Sequence, residues 1–123
     1  MPSLLLLSSD LLLASQIEAP ARATGLTVAV ASTIEALAAT PAGDRPEVVV
    51  LDLADRAFPF DETYRRIRDT SPAARILAFY PHVQDQLGKA AQAAGCDLVL
   101  PRSRFLTRPA DTLRQLLDSG ALR

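Results

Sequence analysis

Short unbroken apolar runs alternate along this chain with segments whose apolar residues recur every three or four positions. The runs are residues 3–8, 26–31, 47–52, 75–80 and 97–101. Val48-Val49-Val50-Leu51 shows the pattern best. Successive side chains of a strand point to opposite faces, so consecutive apolar residues suit a parallel strand covered on both sides. Between the runs, Leu13, Ile17 and Ala21 stand four apart. Phe60, Tyr64 and Ile67 follow i, i+4, i+7, and Leu113, Leu116 and Leu117 make a last stripe. Each set fits one face of a helix.

The punctuation agrees with this division. Ser32 or Thr33 is placed to cap the second helix, and Thr107 followed by Pro109 marks the start of the last one. Gly25 and Gly120 stand where helices are expected to end. Pro20 is the discord: it falls inside the first helix and is expected to kink or shorten it. Residues 40–46, rich in Pro and Gly, form a connection within one domain spanning 1–123. Five strand–helix units with right-handed crossovers predict an α/β fold, a (βα)5 doubly wound parallel sheet of flavodoxin-like type, in order 2-1-3-4-5. In such sheets the functional crevice lies beyond the carboxyl ends of the strands. Those ends carry Ser8-Ser9-Asp10, Asp52, Tyr80-Pro81-His82 and Pro101-Arg102-Ser103.

Composition narrows the function classes. The 123 residues are 49% hydrophobic, enough for one sizeable core. A net charge of −1 and a pI near 5.7 provide no basic field for nucleic acid or anionic lipid. Trp is absent and aromatics are few, so stacking platforms for single strands are not expected. Cys96 is alone, which excludes an intrachain disulfide and points to a reducing compartment. The leucines at positions 4–7 lack a basic flank and stop at Ser8, and no stretch approaches the ~20 apolar residues of a spanning helix. The expectation is a cytoplasmic chain with no membrane partner.

Asp52 ends a strand as Val49-Val50-Leu51-Asp52-Leu53, and Ala93-Ala94-Gly95-Cys96-Asp97 leads into the last strand. Both segments resemble those of response-regulator receiver domains, the CheY-like family, whose third strand ends in a phosphoacceptor aspartate. The resemblance covers nearly the whole chain. Placing the family's acidic pair on Ser8 and Ser9 leaves 44 and 43 positions to Asp52; 28 more reach Tyr80, and a further 22 reach Arg102. The resemblance thus implies that Asp52 stands at the acceptor, Tyr80 at the hydroxyl switch and Arg102 at the lysine. A placement with one deletion matches Pro101 to the family's proline and leaves Leu100 at the lysine.

The departures shape the functional expectation. Receivers hold Mg²⁺ with the acidic pair and the acceptor carboxylate, because a hard cation needs anionic oxygens. Ser8 and Ser9 offer neutral hydroxyls instead, with Asp10 adjacent as the one substitute that, with Asp52, would give a weak metal site. Tyr80 carries its hydroxyl too far out to act as the switch, and Arg102 keeps charge without the reach of lysine. The plain readings are that Ser8 and Ser9 bond nearby backbone, Tyr80 is a rim residue, and His82 is solvated in a loop. Arg102 and Arg104 form a basic rim, an anion site with Asp10 or Asp52 being the alternative. Cys96 is a small packed side chain.

Neighbouring chemistries lack their signatures. There is no Gly-x-Gly-x-x-Gly, no Gly-Lys-Ser/Thr loop, no second aspartate two residues after Asp52, and no Asp-x-His-x-x-Gly. The expectation is an atypical, stand-alone receiver-like domain of two-component signal transduction (a pseudo-receiver rather than an enzyme), free of cofactor. It would meet a protein partner or a second copy through the fourth helix (84–94), fifth strand and last helix. Asp52 is expected to be ionised and tied to backbone N–H groups beyond Leu53 and toward Arg102. The alternative is a working regulator phosphorylated on Asp52 by a histidine kinase with Mg²⁺; a small-molecule binder or enzyme using the strand-end crevice is a further one.

Overall fold

The computed structural model describes residues 3–38 and 45–121. Five strands, β1 (Ser3–Leu7), β2 (Thr27–Ala31), β3 (Val48–Asp52), β4 (Arg75–Tyr80) and β5 (Leu98–Pro101), form one sheet in order β2-β1-β3-β4-β5. All neighbouring pairs are parallel, with Leu4 facing Val28 on one side and Val48 on the other. The helices among the described residues are α1 (Leu11–Ala23), α2 (Glu35–Ala38), α3 (Phe60–Thr70), α4 (Asp85–Ala94), α5 (Arg102–Thr107) and α6 (Pro109–Ala121), with a 3-10 turn at His82–Gln84. The (βα)5 plan is as the periodicity predicted, and the strand order is the one expected of right-handed crossovers.

The unbroken apolar runs serve two cores. Leu4, Leu6, Val48, Val50, Leu77 and Phe79 point to one face of the sheet, where α1 and α6 cover them. Leu5, Leu7, Val49, Leu51, Ile76 and Ala78 point to the other, with α3 and α4 above. Burying both faces of the same five-residue strand is why β3 has no polar position before Asp52. Strand β2 departs from this plan: it is an edge, and Val30 is 37% exposed despite its apolar run.

The predicted stripes are the inward faces: Leu13, Ile17 and Ala21 in α1, Ile67 in α3, and Leu113 and Leu116 in α6 are buried. Some local details add to or differ from those expectations. Pro20 does not shorten α1, which runs on to Ala23. Its missing N–H frees the carbonyl of Gln16, an exposed residue at which water can substitute. The second helix is approached through the carbonyl of Thr33, which accepts the Ala36 N–H at 3.2 Å. Helix α6 starts at Pro109 as expected but continues past Gly120 to Ala121. Helix α5 was not foreseen, because Phe105 is its one fully buried residue and six residues are too few to show a period. Most of the segment 40–46 lies outside the described residues.

The Ala-Gly-Cys-Asp turn proves to be structural. Gly95 ends α4 with φ 111°, the left-handed region that favours glycine, and a Cβ there would come within 2.9 Å of the Tyr64 hydroxyl. Asp97 accepts the Ile76 N–H at 2.8 Å and pairs with Arg68 at 3.6 Å, joining β4, β5 and α3. These contacts lie at the amino ends of the strands, opposite the crevice.

Candidate functional site

The carboxyl ends of β1 and β3 are adjacent, so the loops after them face each other. In the loop after β1, Ser8 is fully buried. Its hydroxyl donates to the Asp10 carbonyl and accepts the Asp10 N–H, both at 3.1 Å, and its own N–H reaches Ala31 O at 3.1 Å. Asp10 is the N-cap of α1: its Oδ1 accepts from Leu12 N–H at 3.0 Å and Leu13 N–H at 3.1 Å, satisfying donors that a helix start leaves without partners. The plain reading of Ser8 as a backbone-bonding hydroxyl therefore holds.

In the loop after β3, Asp52 is 6% exposed and its Oδ1 accepts the Ala54 N–H at 2.9 Å. This is the backbone donation beyond Leu53 that the sequence suggested. Burial pushes the Asp52 carboxyl up from its ordinary value of 3.8. The Ala54 N–H and the positive charge of Arg102 oppose that rise, while the charges of Asp55 and Asp10 add to it. Arg102, the first residue of α5, thus acts on Asp52 through its field; among the described residues no ion pair within 4.0 Å joins them. Of the expected tie toward Arg102, by hydrogen bond or water bridge, the structure shows this attraction and, among the described residues, no direct ion pair. Leu100 is buried in the core, so between the two placements Arg102 is the residue whose charge reaches Asp52.

Asp55 is the functional candidate that the sequence did not single out. Its carboxylate accepts the Ser9 N–H at 2.7 Å, and the Ser9 hydroxyl lies 2.8 and 2.9 Å from its two oxygens. The Ser9 N–H goes to Asp55 Oδ2, while Oδ1 takes the Ala57 N–H at 3.0 Å. The local signal was an aspartate three residues after the strand end, suited to an Asx turn. Its bonding to Ser9 depends on the pairing of β1 with β3.

Tyr80 ends β4 and is half-buried; its ring lies against Gly88 of α4, where any Cβ would overlap it. His82 and Arg104 are exposed, and Arg104 lines a groove along β5 whose lining does not include Asp10 or Asp52. Cys96 packs at the edge of the core, and burial raises its thiol to about 11, which makes it a poor nucleophile.

The groups nearest to a metal position are already engaged within the protein. The hydroxyls of Ser8 and Ser9 are neutral and engaged, Asp10 is committed to the α1 cap, and Asp55 to Ser9 and Ala57. Among the described residues no three metal-ligating side chains gather in one place. Nor, among them, is any helix long and apolar enough to cross a membrane.

No family model matches the sequence, and no curated protein is detectably similar to it. Its fold, by contrast, matches many solved structures. A CheY-like response regulator receiver domain protein from Methanospirillum hungatei JF-1 superposes with TM-score 0.82 at 12% identity, over 98% of this chain and 97% of that one. A response regulator receiver domain protein from Clostridium thermocellum gives 0.80 at 13% identity, over 99% and 98%. A response regulator receiver protein from Burkholderia phymatum gives 0.79 at 21% identity, over 96% of each chain. These superpositions, over nearly the whole of each chain, show that this chain has the fold of the response-regulator receiver domains.

Proposed function

We propose that the chain is an atypical receiver-like domain that serves signal transduction by protein–protein contact, without metal-dependent phosphorylation of Asp52 and without a reaction of its own. The observation that carries this reading is the state of the loop after β1. Where a receiver would present two carboxylates to a metal, this chain presents Ser8 and Ser9, both occupied by hydrogen bonds within the protein. A cation would have to strip the α1 cap from Asp10 and the Ser9 bonds from Asp55, and two neutral oxygens would not repay its dehydration.

The partner surface in this reading is the face of α4, β5 and α6. Ala90, Ala93 and Ala94 are exposed on α4, and the small side chains permit close approach. Strand β5 is an edge, with Leu98 and Val99 half-buried, and an open groove of about 640 Å³ runs along it between Arg104, Arg108 and Asp111. Light scattering across a concentration series separates self-association from a heterologous protein partner: mass doubling supports the first, a constant monomer mass the second.

A second reading, phosphorylation of Asp52 by a histidine kinase, is favoured by one observation, the attraction of Arg102 for the Asp52 carboxylate. Acetyl phosphate with and without Mg²⁺, followed by intact mass, decides between the two. The expected result is no phosphoryl adduct in either condition. A Mg²⁺-dependent adduct lost in Asp52→Asn overturns the proposal in favour of phosphotransfer.

A further inference from the structure

Ser9 and Asp55 are 46 positions apart, yet a single carboxylate holds Ser9 by backbone and side chain together. Both ends of this contact are themselves fixed. Asp55 is aimed by the Ala57 N–H on its Oδ1, its own N–H reaches the Asp52 carbonyl at 3.2 Å, and its carbonyl takes the Phe58 N–H at 3.0 Å. Ser9 sits between Ser8, anchored to Ala31, and Asp10, anchored to the start of α1. Charge-assisted hydrogen bonds between groups already ordered lose little conformational entropy, so they hold better than the same bonds between mobile surface residues.

From this geometry we infer that Ser9 and Asp55 form a built-in clasp. It holds the β1–α1 and β3–α3 loops together without metal, and it must part before a ligand can approach Asp52 from the β1 side. Asp55 lies one tight turn beyond Asp52, its N–H on the Asp52 carbonyl at 3.2 Å, and the charges of Asp55 and Asp10 both act on the Asp52 carboxyl. The clasp therefore narrows the approach to a carboxylate only 6% exposed, and its own charge, with that of Asp10, repels anions there. Clasp and crevice are a property of the loops, whichever partner the domain serves.

The test compares the wild-type chain with Asp55→Ala, by NMR amide exchange and by carbodiimide–amine labelling of Asp52 read by peptide mass. In Asp55→Ala the Ser9 amide is expected to exchange roughly tenfold faster or more, while the amides of α6 keep their rates. Asp52 is expected to label several-fold faster, by roughly the factor that opening one charged hydrogen bond allows. Ser9→Ala, which keeps the backbone bond, falls between the two. In the wild type, neither EDTA nor Mg²⁺ changes the Ser9 rate. An unchanged Ser9 rate or unchanged Asp52 labelling in Asp55→Ala overturns the clasp, and a Ser9 rate slowed by Mg²⁺ overturns its independence of metal. Should Asp55→Ala fail to fold, Asp55→Asn carries the same comparison with a smaller acceleration, and an unchanged rate there is equally decisive against it.

Discussion

On the β1–β3 side of the crevice, position is set by hydrogen bonds: Ser8 to Asp10, Asp10 to α1, Ser9 to Asp55, and Asp52 to Ala54. On the β4–β5 side it is set by shape. The Tyr80 ring occupies space that only a glycine at position 88 leaves, and Phe79 packs against Phe105 with tilted rings whose centroids are 5.4 Å apart. The two means of fixing a loop differ in consequence. Each hydrogen bond contributes only about 0.5–1.5 kcal/mol net, because water offers a substitute, so the polar side can open locally while the fold persists. A packed ring has no such substitute, and displacing it disturbs the elements on either side.

The largest effect should come from the shape-built side. Phe105→Ala is expected to cost about 3–5 kcal/mol in urea unfolding, because a fully buried ring is lost beneath α5. A loss below about 1 kcal/mol would show α5 to be a loosely attached rim and erase the contrast. Next, Gly88→Ala should destabilise by about 1–3 kcal/mol although alanine is the better helix former, since its methyl must overlap the Tyr80 ring. Adding Tyr80→Ala should recover part of that loss, a coupling that a double-mutant cycle measures. Additive costs would mean that ring and helix do not oppose each other.

The smallest effect belongs to the polar side and has the opposite sign. Burial holds the Asp52 carboxyl above 3.8, so ionising it is harder in the folded chain than in the unfolded one. The wild type therefore loses stability as pH rises through that raised value. Asp52→Asn keeps an oxygen for the Ala54 N–H without the charge, and should be more stable at pH 7 by about 1 kcal/mol or less. The gain should fade as pH drops and disappear below the ordinary 3.8, where the wild-type carboxyl is protonated in both states. A gain that persists at low pH would have to come from packing and not from charge.

Much of this was legible beforehand because the signals were local. An apolar run followed by a helical stripe identifies a strand and its covering helix wherever the chain goes, and five repeats leave few topologies. Asp52 could be placed because it closes the most apolar run, and Gly25, with φ 90°, because a helix end needs that conformation. Pro20 misled because its cost depends on whether water reaches the freed carbonyl. The run Thr-Val-Ala-Val-Ala does not itself announce the exposure of β2; only its edge place in the order 2-1-3-4-5 does.

The sequence by itself thus determined the five strand–helix units and the position of Asp52 at a strand end, since each follows from periodicity within a dozen residues, and the handedness of the crossovers narrowed the strand order. Only the tertiary structure decided which polar groups meet there. Ser9 finds Asp55 because β1 lies beside β3, Arg102 acts on Asp52 from across β4, and Tyr80 requires Gly88 because α4 packs back on its own strand. Hydrogen bonds and steric fits of this kind act over a few ångströms, and residues far apart in sequence come that close only once the strands have paired.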